Sequence, residues 1–216
     1  MHTITFAEFG FLLKGAQWTI ALSAMALALG AVAGLVIALA RMSPSPLLRR
    51  LTGGYIALFQ GTPLLMQLFV TYYGLALIGL KLDPWLSVAI GFMLHASAFL
   101  GEIWRGSIEA VPRGQTEAAN ALGMSYINRM RKVVLPQALR ISLPATIGFF
   151  VQLIKGTSLA AIVGFAELAR SGSIVSNQTF QPLMVYGIVG AMYFAMCWPL
   201  SLYGSRLERQ LATAAR

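Results

Sequence analysis

The sequence predicts an all-α integral membrane protein, a single domain over residues 1–216 with about five transmembrane helices. Composition is the first reason: 57% of residues are hydrophobic and 11% charged, against about a quarter charged in soluble domains. Mean hydropathy is +0.72. The second reason is length, because several uncharged stretches match the about 20 helical residues needed to cross a ~30 Å hydrocarbon layer. The third is where the charge sits. The net charge is +9, but the basic residues stand in short loops beside apolar spans, where they set topology and meet lipid headgroups. The clustered basic face and interleaved aromatics of a nucleic-acid binder are missing.

The spans follow in order. The first covers about Gln17 to Ala40, and Phe6 to Leu13 before it reads as a short amphipathic helix at the interface. The N-terminal residues lack the basic region of a cleaved signal peptide, so this first span is expected to stay in the protein. Arg41, Pro44, Pro46, Arg49 and Arg50 make a short basic loop whose prolines stop the helix. The second span, about Tyr55 to Leu80, contains Gln60-Gly61-Thr62-Pro63, where Pro63 removes a backbone donor and loosens or bends the helix. A turn at Lys81 to Pro84 leads to the third span, about Trp85 to Trp104. A polar loop from Arg105 to about Arg140 separates it from the fourth. That span starts near Ile141 and is interrupted at Lys155-Gly156-Thr157-Ser158. A semi-polar section, Leu159 to Thr179, precedes the fifth span, about Leu183 to Tyr203. Cys197 in that last span reads as a small buried hydrophobe.

Lys and Arg bias fixes the expected orientation. Twelve of the 16 basic residues, including Arg41, Arg105, Arg129, Arg140 and Arg206, fall on one side of this arrangement, and Lys14, Lys81, Lys155 and Arg170 on the other. The positive-inside rule then places the N-terminus outside, the C-terminus in the cytoplasm and the Arg105–Arg140 loop inside.

That loop carries the most informative stretch of the chain. Pro112-Arg113-Gly114-Gln115 precedes an expected short helix, about Thr116 to Leu122. Thr116 serves as its cap, and Glu117 sits near the positive end of its dipole. Gly123 permits a sharp turn. Ser125 is expected to cap a second short helix, Tyr126 to Val134, with Pro136 marking the return to the membrane. Ala118, Ala119 and Ala121 leave little bulk, so another protein surface can approach the backbone.

The spacing Glu117-Ala118-Ala119, three residues, Gly123, nine residues, Val133, one residue, Leu135-Pro136 resembles the cytoplasmic coupling loop of ABC-importer permeases. The rest of the chain is similar to the polar amino-acid uptake branch of that family, which carries histidine, arginine, glutamine and opines. The segments that carry the likeness are Phe59 to Leu68, Tyr72 to Leu75, Glu102 to Gly106, Val111 to Gln115, Leu135 to Arg140, Lys155 to Leu159, Glu167-Leu168 and Leu207 to Arg209. Three positions depart from the family pattern. Gln60 stands for an arginine and Gly156 for an aspartate, and His95 to Gly101 replaces a tyrosine-rich approach to Glu102.

The resemblance implies a type I ABC importer permease fold in the bacterial inner membrane, moving a polar L-amino acid from periplasm to cytoplasm by alternating access. It implies as partners ATP-binding cassette ATPase subunits, a second permease subunit, identical or homologous, and a periplasmic or lipid-anchored amino-acid-binding protein. ATP and Mg would be bound by the partner ATPase, with no cofactor in this chain and no catalysis by it. No phosphate-binding Gly-Lys-Thr/Ser loop, metal cluster or Ser-His-Asp set occurs in the sequence. The expected ATPase-coupling residues are Glu117, Ala118, Ala119, Leu122, Gly123, Met124 and Ser125.

Polar groups at membrane depth nominate a substrate pathway: Gln60, Thr62, Gln67, His95, Glu102, Lys155, Thr157 and Ser158. Each has a structural alternative. Glu102 and Arg105, three apart, can pair on one helix face, and Lys155 can meet either a substrate carboxylate or Glu167 in a gate. His95 can simply be a hydrogen-bonded bundle residue, and Gln60, Thr62 and Gln67 can tie helices together. The rival function is an ion-coupled secondary carrier or channel subunit, which internal inverted repeats would favour; none is visible.

Overall fold

The computed structural model describes residues 5–214, with side chains described to residue 211. The described elements are helical: α1 Phe6–Arg41, α2 Pro46–Gly61, α3 Leu64–Leu77, α4 Pro84–Glu109, α5 Arg113–Ala121, α6 Tyr126–Val163, α7 Leu168–Thr179 and α8 Pro182–Ala214. Among the described residues, α1, α4, α6 and α8 are long and apolar enough to cross a membrane. Their outer faces stay apolar, with Val32 70% and Phe194 62% exposed, as lipid-facing helices require.

Helix α1 starts where the Glu8 carboxylate accepts the Thr5 N–H at 2.6 Å, closing the first turn. The separate interfacial helix expected over Phe6 to Leu13 is instead the beginning of α1. No proline or polar turn intervenes before Gln17, and Gly15 is buried against Leu168 and Ser171 of α7, which holds this first part of the helix in the bundle.

The principal seam joins α1 to α4 through small residues. Gly30 lies on Ala96, and Gly34 lies on Leu100, Gly101 and the Ser97 carbonyl. Glycines four apart let two backbones approach closely, the packing mode that works in lipid without hydrophobic drive. The contacts advance together along both helices, so α1 and α4 run parallel and Arg41 and Arg105 lie toward the same end. The Val151–Cys197 and Gly204–Ile147 contacts make α8 antiparallel to α6, and Trp104 donates to Thr146 at 3.2 Å. Arg140 and Arg206 therefore join Arg41 and Arg105 at one end of the bundle. Around the seam, Leu22, Leu68, Phe92, Leu100 and Leu153 form the main core. A second cluster of Leu12, Leu168, Val175, Val185 and Val189 joins α1, α7 and α8.

The second expected span is not one helix. Helix α2 ends at Gly61, Thr62 is extended (φ −116°, ψ 143°), and Pro63 stands before α3. Proline disfavours helical geometry in the residue before it and lacks an N–H, so Thr62-Pro63 divides the segment. Helix α3 then passes through a wide π turn at Val70–Gly74.

Two further expectations are corrected. Helix α5 begins at Arg113 with Pro112 as its N-cap, not at a Thr116 cap. Pro112 brings a pre-set φ, and its carbonyl accepts the Gln115 N–H at 3.0 Å. The second loop helix is not separate either: Ser125 stands at the cap position without a side-chain cap bond, and α6 runs on through a wide turn at Met130–Val134. Pro136 follows that turn, whose shifted register already disturbs the usual ladder, so its missing N–H does not end the helix.

Replacing Gly30 with Val should destabilise the protein by about 1–3 kcal/mol, because the α1–α4 seam has no room to relax. Gly10→Ala, with open space around it, should leave stability nearly unchanged. Thermal melting of the detergent-solubilised protein distinguishes the two.

Candidate functional site

Three groups of polar side chains occupy the places where helices break or end. The first repairs the Thr62-Pro63 break. The Gln67 amide donates to the Phe59 carbonyl at 2.8 Å and to both oxygens of Thr62 at 3.0 Å. Its side-chain oxygen lies 3.0 Å from His95 Nδ1 on α4. The His95 ring lies tilted against Phe99 and stacks on Phe149, so the break is tied to α4 and α6 at once. Gln67 is buried, whereas Gln60 is exposed at the end of α2.

The second group is centred on Glu167, 0% exposed. After the core helix ends at Gly156, tight 3-10 turns carry the chain to Gly164, whose φ of +82° suits glycine. Glu167 then caps α7, accepting from the Ala169 and Arg170 amides at 2.9 and 2.8 Å. Its carboxylate also accepts the Tyr193 hydroxyl at 2.7 Å and the Thr19 hydroxyl at 3.3 Å. Thr19 Oγ1 in turn accepts the Leu168 N–H at 3.2 Å. One buried acid thus joins α1, α7 and α8.

Of the two alternatives for Lys155, the pairing with Glu167 is not formed in this structure. The carboxylate is taken by hydroxyls and amides, and Lys155 is exposed, facing a shallow hollow with Tyr193, Trp198 and Ser201. Thr157 is fully buried and donates to the Ile154 carbonyl at 2.7 Å, and Ser158 donates to that of Lys155 at 2.8 Å. A Cβ on Gly156 would meet Leu64 at 3.1 Å and Phe92 at 3.8 Å. At the position where the family pattern carries an aspartate, this chain packs an apolar contact between α6 and α3.

Glu102 belongs elsewhere. Arg105 Nε donates to it at 2.9 Å, and the same guanidinium pairs with Glu109. The structure therefore brings Thr62, Gln67 and His95 together, places Lys155, Thr157 and Ser158 at the second break, and sets Glu102 in an ion-pair chain at the basic end. Thr19 and Tyr193 were missed in the sequence. Their signal was weak, because each is one of several hydroxyls in its apolar span, Thr19 with Ser23 and Tyr193 with Tyr186, Ser201 and Tyr203.

The third group is the loop between α4 and α6. Its base is fixed by Val111, Val134 and Ala138, with Ile108, Met130 and Ile141 against them. Helix α5 ends in a glycine motif: Gly123 has φ +70°, its N–H bonds the Asn120 carbonyl at 2.9 Å, and the Met124 N–H reaches back to Ala119 at 3.1 Å. Asn120 accepts from Arg129, whose guanidinium lies 5.2 Å from the Tyr126 ring centre. These bonds hold Leu122 and Ile127 outward, 81% and 74% exposed. Glu117 and Ala118 are exposed beside them, while Ala119 is buried under the helix.

Residues 7–214 match the family described as binding-protein-dependent transport system inner membrane component. The chain is 37% identical to the probable amino-acid ABC transporter permease protein YckA of Bacillus subtilis, over 95% of this chain and 91% of that one. It is 38% identical to the L-cystine transport system permease protein TcyB of the same organism, over 91% and 85% of the two chains. The crystal structure of an amino acid ABC transporter with histidines superposes with a TM-score of 0.88 at 33% identity, covering 97% of this chain and 100% of that chain.

Tyr193→Phe should cost about 1–3 kcal/mol by leaving the buried Glu167 short of one donor. Thermal melting against a Tyr203→Phe control, at an exposed position of the same helix, measures it.

Proposed function

The chain belongs to the binding-protein-dependent transport system inner membrane component family, and from that premise we propose that it moves a polar L-amino acid inward across the bacterial inner membrane. It is a permease subunit of an ABC importer and not an enzyme; the ATPase is a separate subunit. A carrier or channel is not favoured by these relatives. The observation that carries the mechanism is the rigid apolar knob of Leu122 and Ile127, held out by the Gly123 turn and the Asn120–Arg129 bond.

On this reading ATPase subunits, which bind ATP and Mg, grip the α5 knob through Glu117, Ala118, Leu122, Gly123, Met124 and Ser125, while the buried Ala119 supports the helix from beneath. Exposed aliphatic anchors on a stiff frame suit a docking site because little side-chain freedom is lost on binding. The chain crosses the membrane about five times, with α2 and α3 together making the second, broken crossing. The end bearing Arg41, Arg105, Arg140 and Arg206 faces the cytoplasm, in keeping with the positive-inside rule. A second permease completes the pore, and a periplasmic or lipid-anchored binding protein delivers the amino acid from the opposite side.

Within the pore, the two helix breaks are where substrate polar groups are met. Lys155, exposed beside Tyr193 and Ser201, supplies a cation for the α-carboxylate that every amino acid carries. The apolar Gly156–Leu64 contact offers no anion to a basic side chain, which favours a neutral polar substrate at this subunit. The wall of Gln67 and His95 keeps the α2–α3 break in place while the bundle moves.

Gly123→Val should strain the left-handed turn by roughly 1–2 kcal/mol and reduce ATPase co-purification while the membrane helices stay folded. Unchanged co-purification in a pull-down would remove the knob from the docking site. Lys155→Ala should weaken amino-acid uptake in vesicles of the full complex without loss of assembly. Normal uptake kinetics, read with a competition panel of neutral, basic and acidic amino acids, would exclude Lys155 from the pathway.

A further inference from the structure

A groove of about 580 Å³ lies between α1, α2 and α4, toward the end where α1 stops. Its walls are the aliphatic side chains of Val36, Ile37, Leu51, Met93 and Leu94. Three polar side chains also reach it, and each is already engaged. The Tyr55 hydroxyl bonds the Leu94 carbonyl at 2.9 Å and Ser97 Oγ at 2.7 Å, Ser97 donates to Leu94 at 2.8 Å, and Thr52 donates to Leu48 at 2.6 Å. The groove therefore suits an alkyl chain better than a polar solute, at a volume within the ~300–1,000 Å³ range of small-molecule sites.

Cations stand at its mouth. Arg41 follows Ile37 by one helical turn, donates through Nη1 to the Arg49 carbonyl at 3.0 Å, and lays its guanidinium on Gly53. Its Nε is buried and has no acceptor among the described residues. That shielded nitrogen is not itself the docking point, but Arg41 as a whole is only half-buried, and a phosphate oxygen is the acceptor a guanidinium binds best. Arg49 and Arg50 are exposed on the next helix. The sequence has no acidic residue between Glu8 and Asp83. Glu102 on α4 is within electrostatic reach of Arg41, but Arg105 already holds that carboxylate.

We infer that this groove binds one anionic phospholipid, its acyl chain along Val36, Leu51 and Leu94 and its phosphate on Arg41, with Arg49 and Arg50 beside it. The inference takes from the proposed function only the cytoplasmic placement of the arginine end, where the leaflet carries anionic headgroups. The lipid fastens α1 to α2, the element that leads into the Thr62-Pro63 break. Phosphatidylglycerol and phosphatidylcholine, which share acyl chains and phosphate, separate the charge from the chain.

The assembled transporter in detergent is titrated with each lipid and read by native mass spectrometry. The wild type is expected to retain phosphatidylglycerol roughly fivefold better, the preference of about one basic residue at an anionic headgroup. Arg41→Gln should abolish that preference, Arg41→Lys should keep most of it, and Ala33→Phe, which fills the groove, should weaken retention of both lipids. Equal retention of the two lipids by the wild type overturns the inference, as does wild-type behaviour in Ala33→Phe. If Arg41→Gln fails to assemble, an Arg49→Gln/Arg50→Gln variant replaces it, and an unchanged preference there counts against the site. ATPase co-purification is read on the same samples. Its retention without lipid preference sinks the lipid site alone, and its loss with lipid preference intact sinks only the docking reading.

Discussion

A backbone carbonyl at membrane depth has no water to bond, and the rest of this structure follows from that constraint. The bundle nonetheless breaks its helices twice, at Thr62-Pro63 and between Gly156 and Leu168. Each break is repaired by one buried polar side chain. Gln67 takes the Phe59 and Thr62 carbonyls, and Glu167 takes the first amides of α7. Both then extend to another helix, Gln67 to His95 on α4 and Glu167 to Tyr193 on α8. Gln67, which looks like a pathway ligand in the sequence, is thus first of all a substitute for water.

That double duty explains which parts of the molecule were legible in the sequence. Membrane-length helices follow from apolar length, and a weak point at Thr62-Pro63 follows from a missing N–H, so both were readable, though a complete break was not. The Gly123 turn was readable because a left-handed residue is cheap only for glycine. The fate of Glu167 was not readable, since its partners Thr19 and Tyr193 lie 148 and 26 residues away and only packing brings them together. Local turn chemistry also misled at Thr116 and Pro136. A proline at the N-cap and a wide turn that absorbs a missing donor are decided by neighbouring turns, not by the residue itself. The division of the second span into α2 and α3 has the same origin: apolar length measures a segment, not its continuity.

The small-residue seam between α1 and α4 sets what can move. Gly30, Gly34 and Gly101 leave no slack, so these two helices behave as one body. Helix α6 meets that body through larger side chains, Phe149 and Leu153 among them, which can slide where glycine contacts cannot.

The proposed docking role of the exposed Leu122–Ile127 knob gains its mechanical meaning from continuity. Ile127 is carried on the same helix as Lys155, because α6 runs from Tyr126 to Gly156 without a gap before the tight turns begin. The stretch Leu135–Gly156 has 22 residues, about 33 Å of rod at 1.5 Å per residue. Had Tyr126–Val134 been a separate helix joined by a flexible turn, a pull on the loop would be lost in the joint. Under the proposed reading, a displacement of the knob is delivered along α6 to the break beside Lys155, where tight turns give way to Gly164. The wide turn at Met130–Val134 is the compliant place on that path, and the Val111–Val134–Ala138 contact braces it. On that reading, force applied at one face would arrive at the other as a movement of the break, the part of the bundle held by hydrogen bonds to a single carboxylate and not by close-packed glycines.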